Sequence, residues 1–337
     1  MSVGSWHVVD IGRPQRDEVL DLFAQVFGGT MPPDLWHWKY GDGRGLATGT
    51  RGDDGRLLAH YGGTARTLMR AGQPMEGVQL GDVMVAQDVR GILSRRGPFA
   101  TAARGFLERH VGTEAGFACG FGFPNDRAAR LGEALGLYEM VGTILQVQWP
   151  AMRPARALEA RVRWRLAPID WSHADTPARL DALWAELLAA PLARQCVLPR
   201  RDAAWWRHRF GNHPQAPYRC FWVHRRWSGQ LLGAVALRPS AHAGGPWELL
   251  DWLAPPDRMG SMVAAARALC QQQGASGMMG WLSEPLATRL LADRRLADGQ
   301  AQPACSASMT LRRASWLAGP NLSPLWWWLT GGDTDFR

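Results

Sequence analysis

The chain repeats itself, and the repeat fixes its architecture. "DLWHWKYGDG" at 34–43 returns as "AWWRHRFGNH" at 204–213, with aromatic, basic, aromatic and glycine in the same order. A repeat at this spacing means two structural units. Upstream of each stretch lie a strand and a helix: "WHVVDI" then "RDEVLDLFAQVFGG", against "VRWRLAPI" then "TPARLDALWAELLAA". Val19, Leu22, Phe23, Val26 and Phe27 make one apolar face of the first helix; Leu180, Leu183, Trp184, Leu187 and Leu188 do so in the second. Downstream, "GRLLAHYGG" (55–63) is echoed by "GQLLGAVAL" (229–237), and "GDVMVAQ" (81–87) by "LDWLAPP" (250–256), which leads into another helix-like stretch. The expectation is two tandem α/β domains of about 150 residues each, a common domain size. They are placed at 1–150 and 162–315, joined near "PAMRPARALEAR", with a Trp-rich tail at 316–337. Trp326, Trp327 and Trp328 are read as an anchor that folds back onto a domain, because exposed adjacent tryptophans invite association.

Charge and cysteines narrow the function classes. The net charge is +8, yet Lys39 is the only lysine and the arginines are scattered in short groups. A general preference for anions follows; a nucleic-acid partner does not. Five cysteines without a CxxC pair fit buried thiols in a reducing compartment better than a disulfide frame or a zinc site. The apolar runs are too short for a membrane span. The start lacks a basic-then-apolar leader, so a cytoplasmic location is expected.

The copies are unequal, and the inequality points to chemistry in the first. Its strand "DVMV" (82–85) runs into a loop carrying Arg90, Gly91, Arg95, Arg96 and Gly97. A helix then starts at Pro98, a residue suited to a first helical position, with Phe99 in its first turn. Glycines, guanidinium groups and a helix N-terminus together make a cradle for phosphate. Next comes "CGFGFPNDRAARLGEALGLY" (119–138). It reads as a buried strand stopped by Pro124, an N-cap at Asn125, a helix of small residues and a left-handed exit at Gly136.

Strand, Arg/Gly loop, helix, strand and Asn-capped helix in this order resemble the GNAT superfamily of acyl-CoA-dependent N-acyltransferases. In that family's first motif, Val85 and Arg90 fall in register, while Gln87 stands in place of proline, Leu93 in place of a glycine, and Gly97 comes late. The second motif, "FPNDRAARLGEALGL", matches better, with Gly132 where many members carry tyrosine. The resemblance covers 1–150 and extends to 165–315 through the repeat. It implies a mixed, largely antiparallel sheet flanked by helices in each domain. It also implies acetyl-CoA or another acyl-CoA as co-substrate, held by Met84, Val85, Arg90, Gly91, Arg95, Arg96, Gly97, Phe99 and Asn125. The acceptor would be a primary amine of a small molecule, an aminosugar or a peptide. The second copy lacks the Arg-Arg-Gly loop and the Pro-Asn corner, so it is read as degenerate, kept for shape, substrate walls or homodimer formation.

Amine acylation needs a base for the amine and a proton for the thiolate. Asp82 and His60 are the candidate bases, against the plainer readings of a loop-capping carboxylate and a satisfied buried imidazole. Tyr138 is the candidate acid, with Tyr61 in reserve. Cys119 is taken as a buried thiol, and Trp36, Trp38, Trp205 and Trp206 as core. In the resembling family the region of Lys39, Asp42 and Arg44 borders the acceptor. A silent acyl-CoA or anion sensor, and a transferase fed by aminoacyl-tRNA, remain alternatives.

Overall fold

The computed structural model describes residues 5–90, 96–112, 116–215, 217–310 and 326–334. Among these, no helix is long and apolar enough to cross a membrane. The chain divides into two compact units. The first takes the described residues up to Leu68, then Pro74–Val141, then those from Ser306 to Thr310. The second takes Met69–Gln73, Gly142–Cys305 and the described residues from Trp326.

The first unit contains β1 (Trp6–Ile11), α1 (Arg16–Phe27), α2 (Pro33–Tyr40), β2 (Gly45–Gly52), β3 (Leu57–Arg70), β4 (Gln73–Val85), α3 (Pro98–His110), β5 (Cys119–Gly122) and α4 (Asp126–Ala134). Its strands lie in the order β1-β2-β3-β4-β5. β1, β2 and β3 pair antiparallel, whereas β4 and β5 are parallel. Alternation along a strand sorts the side chains onto two faces. Ala59 and Tyr61 of β3 join a core with Ala103, Phe106 and Leu107 of α3, and Leu135 and Tyr138 close it. Met84 of β4 packs on the other face, with Val19 and Leu22 of α1 and Trp36 of α2. Phe27 departs from the sequence reading. It leans on Phe23 at the end of α1 but is 55% exposed, outside the apolar face.

The strand beside β5 is not the next in sequence. Ser308 and Met309, from a strand at Gln300–Thr310, pair antiparallel with Gly122 and Phe121. The strand that follows α4, β6 (Tyr138–Pro150), instead passes from the first unit into the second between Val141 and Gly142. A cut into contiguous halves at 1–150 and 162–315 therefore does not describe the units. The presumed joining stretch is itself a helix, α5 (Pro154–Arg163).

The second unit continues with β7 (Trp164–Pro168), α6 (Thr176–Ala189), β8 (Cys196–Pro199), α7 (Ala203–Trp206), β9 (Arg219–Arg225), β10 (Leu231–Arg238), β11 (Trp247–Leu253), α8 (Met259–Gln272), β12 (Gly277–Ser283), α9 (Glu284–Leu291), β13 (Gln300–Thr310), which passes into the first unit at Ser306, and β14 (Trp326–Trp327). The order β7-β9-β10-β11-β12 repeats that of the first unit, and β11 pairs parallel with β12 as β4 does with β5. Beside β12 lies β6, antiparallel from Gly277↔Pro150 to Ser283↔Ile144. The tryptophan segment does fold back: β14 pairs with β8, and Trp327 and Trp328 are buried. The chain end beyond it is tied by Arg201, which donates to Asp251 at 2.9 Å and to Asp333 at 2.5 Å, all three fully buried.

Candidate active site

β4 outruns its parallel neighbour. Pairing with β5 ends at Gln79↔Phe121, so from Leu80 to Val85 β4 continues without a β5 partner among the described residues. β5 ends at Gly122, and Pro124 directs the chain into α4. Two parallel strands that part leave backbone facing open space, a common place for a ligand in a mixed sheet.

Within this stretch Asp82 adopts a left-handed conformation, φ 48°, unusual for a residue other than glycine. Its surroundings hold it there. The Lys39 ammonium donates to one carboxylate oxygen at 2.7 Å and the Tyr40 hydroxyl to the other at 2.7 Å. Both charged side chains are buried, 5% exposed for Lys39 and 8% for Asp82. Burial alone raises the Asp82 pKa, but the Lys39 charge and the two hydrogen bonds outweigh it and hold the carboxyl below its ordinary range. The Tyr40 ring is seated between Gly45 and Gly62, where any Cβ would collide with it.

The same kink turns the Asp82 carbonyl onto His60. The ring Nδ1 lies 2.7 Å from that oxygen, which can only accept, so Nδ1 carries the proton. Nε2 is then a bare lone pair, and among the described residues it has no hydrogen-bond partner. Burial, partly opposed by the Asp82 carbonyl and carboxylate, pulls the His60 pKa below that of an ordinary histidine. The imidazole is thus neutral near pH 7, with one nitrogen ready to accept a proton. It lines a cavity of about 200 Å³ together with Trp36, Tyr40, Gly41, Ile11 and Ala47, with Arg13 and Asp42 among its polar lining residues.

Sequence reasoning named His60 and Asp82 but not their connection. Lys39, grouped in the sequence with Asp42 and Arg44, lies in the last turn of α2 and is buried on Asp82. Asp42 and Arg44 pair with each other at 3.1 Å. Trp36 is buried as expected and lines the cavity as well.

The residues expected to hold the donor lie around the N-termini of α3 and α4. Arg96 and Gly97 precede α3, whose first turn is fixed by Thr50 donating to the Pro98 carbonyl at 3.0 Å. Arg90 ends the turn after β4. Gly91 and Arg95 lie outside the described residues. The Phe99 ring packs toward Tyr61, leaving its backbone in the first turn of α3. Val85 leans on the α3 core, and Met84 is buried on the other face. Asn125 caps α4, its side-chain oxygen accepting from the Ala128 amide at 3.0 Å. Cys119 is buried, its thiol pushed up to about 12 by burial, and unreactive.

Tyr138 is not placed as a general acid. Its hydroxyl donates to the Ala128 carbonyl at 2.6 Å, and its ring fills the notch where a Cβ on Gly132 would stand. Burial pushes the phenol up to about 12. The glycine in the second motif is explained by this ring. Tyr61, in reserve, is a core ring against Phe106, its pKa raised by burial. Tyr138→Phe is therefore expected to leave turnover within about twofold while lowering stability by about 1 kcal/mol for one lost hydrogen bond, read by steady-state kinetics and urea unfolding.

No family model matches the chain, and no curated protein matches it. Solved structures do. A protein of unknown function from Enterococcus faecalis V583, described as a probable N-acyltransferase, superimposes with a TM-score of 0.67 at 13% identity, over 91% of this chain and 73% of that one. A GCN5-related N-acetyltransferase from Kribbella flavida gives 0.63 at 20% identity, over 92% and 72%. The chain has the GNAT fold. The N-myristoyltransferase of Saccharomyces cerevisiae, solved with bound myristoyl-CoA, shares it at a TM-score of 0.51 and 12% identity, over 92% of this chain and 83% of that one. Within the GNAT fold, the sheet parts after Gln79 on β4, and the Asn125 cap begins the helix that follows β5.

Proposed function

We propose that the protein is an acyl-CoA-dependent N-acyltransferase whose chemistry is carried by the first unit. The observation that carries this reading is His60, a residue lining a cavity whose buried Nε2 has no hydrogen-bond partner among the described residues and whose tautomer is set by the Asp82 carbonyl. His60 is the base that takes the proton from the attacking amine. Asp82 positions it, and Lys39 and Tyr40 position Asp82. The open run of β4 and the α3 and α4 N-termini fit an acyl-CoA, with the backbone at Met84 and Val85, Arg90, Arg96, Gly97, the Phe99 turn and Asn125 as the groups that would hold it. Such a donor supplies a thioester carbonyl to the amine. Its leaving group is a thiol, which departs as thiolate far more readily than an alkoxide would, and no acid is assigned.

The second unit supports placing the chemistry in the first. By the repeat, Asp251 stands for Asp82, Arg209 for Lys39, Phe210 for Tyr40 and Ala234 for His60. The base is absent there. The chain end fills the matching place: Arg209 donates to the carbonyls of Gly332 at 2.9 Å and Thr334 at 3.0 Å. Gly332 lies so near Asp251 and Phe210 that a Cβ would come within 3.2 Å of the Phe210 ring.

Asn125→Asp tests the cradle. Aspartate caps a helix as well as asparagine but sets a negative charge beside an anionic ligand. Calorimetry is expected to show coenzyme A binding weakened about tenfold or more, with the melting temperature close to wild type. Unchanged affinity would remove Asn125 from the binding site. The engaged Tyr138 hydroxyl favours a second reading, a silent acyl-CoA binder, which thiol release separates from the first.

A further inference from the structure

Two of the residues that line this cavity, not one, carry a buried polar atom without a partner among the described residues. Trp36 Nε1, like His60 Nε2, is buried and has no hydrogen-bond partner among the described residues. Leaving a buried polar atom unmet is costly. The indole nitrogens of Trp206, Trp252 and Trp326 are unmet among the described residues as well, and Trp36 and His60 stand out by lining one cavity together. Both residues line the same cavity of about 200 Å³. Their chemistry is opposite: an indole N–H only donates, and this imidazole nitrogen, with its proton on Nδ1, only accepts. A ligand that satisfies both must offer an N–H or ammonium to His60 and a lone-pair oxygen to Trp36.

The rings between them form one surface. Trp36 stacks on Tyr40 with centroids 5.6 Å apart and planes at 29°, and His60 meets Tyr40 edge-on at 6.0 Å and 88°. A short carbon skeleton would fit against that ladder, and an ammonium is drawn to aromatic faces. A cavity of about 200 Å³ is below the size that takes drug-like molecules, so the occupant is small.

We infer that the acceptor is a small amine carrying a hydroxyl or carbonyl oxygen, held with its nitrogen at His60 and its oxygen at Trp36. This deepens the acyltransferase reading and rests on it for the word acceptor. The test uses matched pairs: 2-aminoethanol against propylamine, glucosamine against cyclohexylamine, and glycinamide against butylamine. Each is measured twice with the full chain, as kcat/KM with acetyl-CoA and as affinity by calorimetry without it. Wild type is expected to favour the oxygen-bearing member of at least one pair about tenfold or more, the worth of one well-met hydrogen bond. The pair that shows it distinguishes hydroxyl from carbonyl. Trp36→Phe keeps an aromatic ring on Tyr40 and removes the N–H, so the ratio should collapse toward one. Equal treatment of every pair by wild type overturns the inference without any variant, and so does a ratio that survives in Trp36→Phe. Preference in binding with no acyl transfer would remove the acyltransferase reading and leave this one standing. Transfer without preference would do the reverse.

Discussion

Replacing His60 by glutamine is expected to lower turnover by about 10²–10⁴, the usual worth of a positioned general base. Glutamine keeps a polar side chain in the cavity but cannot take up a proton. The pH profile separates loss of the base from loss of packing. Because burial holds the His60 pKa below an ordinary histidine's, the wild-type rate should be at its plateau by pH 7. It should fall only as the pH drops through that lowered value. In His60→Gln the residual rate should lack this acid limb. The stability effect has a definite sign. A folded pKa below the unfolded value of about 6.5 contributes stability that is fully present above the unfolded value and lost as the pH falls through the folded one. Wild type should therefore lose melting temperature on acidification more steeply than His60→Gln.

The second large effect belongs to Asp82. Asparagine tolerates the left-handed backbone at φ 48°, so Asp82→Asn removes charge without adding strain. It leaves the Lys39 ammonium buried with its counter-charge gone. Breaking one side of a buried pair costs about 3–5 kcal/mol, to be read as a shift in the first unfolding transition in urea, since a two-unit chain need not unfold in one step. The double variant Lys39→Met/Asp82→Asn should recover much of that loss, because no unpaired charge remains. The Asp82 carboxyl is held below its ordinary range, so its contribution is present above about pH 3.9 and is lost as the pH falls through its folded value. The carbonyl that orients His60 belongs to the backbone and asparagine keeps it, so turnover in Asp82→Asn should fall far less than in His60→Gln.

What could be read from the sequence was what is local. The buried strand before Pro124, the Asn125 cap and the Gly136 exit all depend on neighbours within a turn or two, and all are present. The repeat likewise anticipated the matching strand orders, since each copy must bury its own faces. The exchange that sets β13 beside β5 and β6 beside β12 was not legible, because partner choice among apolar strands is decided far from the residues involved. Tyr138 was misread for a related reason. Its nearness to the second motif suggested an acid, whereas the notch at Gly132 takes its ring and the Ala128 carbonyl takes its proton. Lys39 carried a signal that went unused: the only lysine of a chain rich in arginine sits in a helix with two tryptophans, and it is buried. The link from Lys39 through Asp82 to His60 rests on one left-handed residue in β4, and no pattern of residue types announces that.

The most direct measurement follows free thiol released from acetyl-CoA by the full chain, with and without amine, while mass spectrometry counts the amide formed. If His60 deprotonates a bound amine beside the parted strands, release depends on the amine. It then yields one thiol per amide and falls by two to four orders of magnitude in His60→Gln. Acetyl-CoA that binds and is never cleaved, whatever amine is offered, or release that is indifferent to His60, would contradict the account.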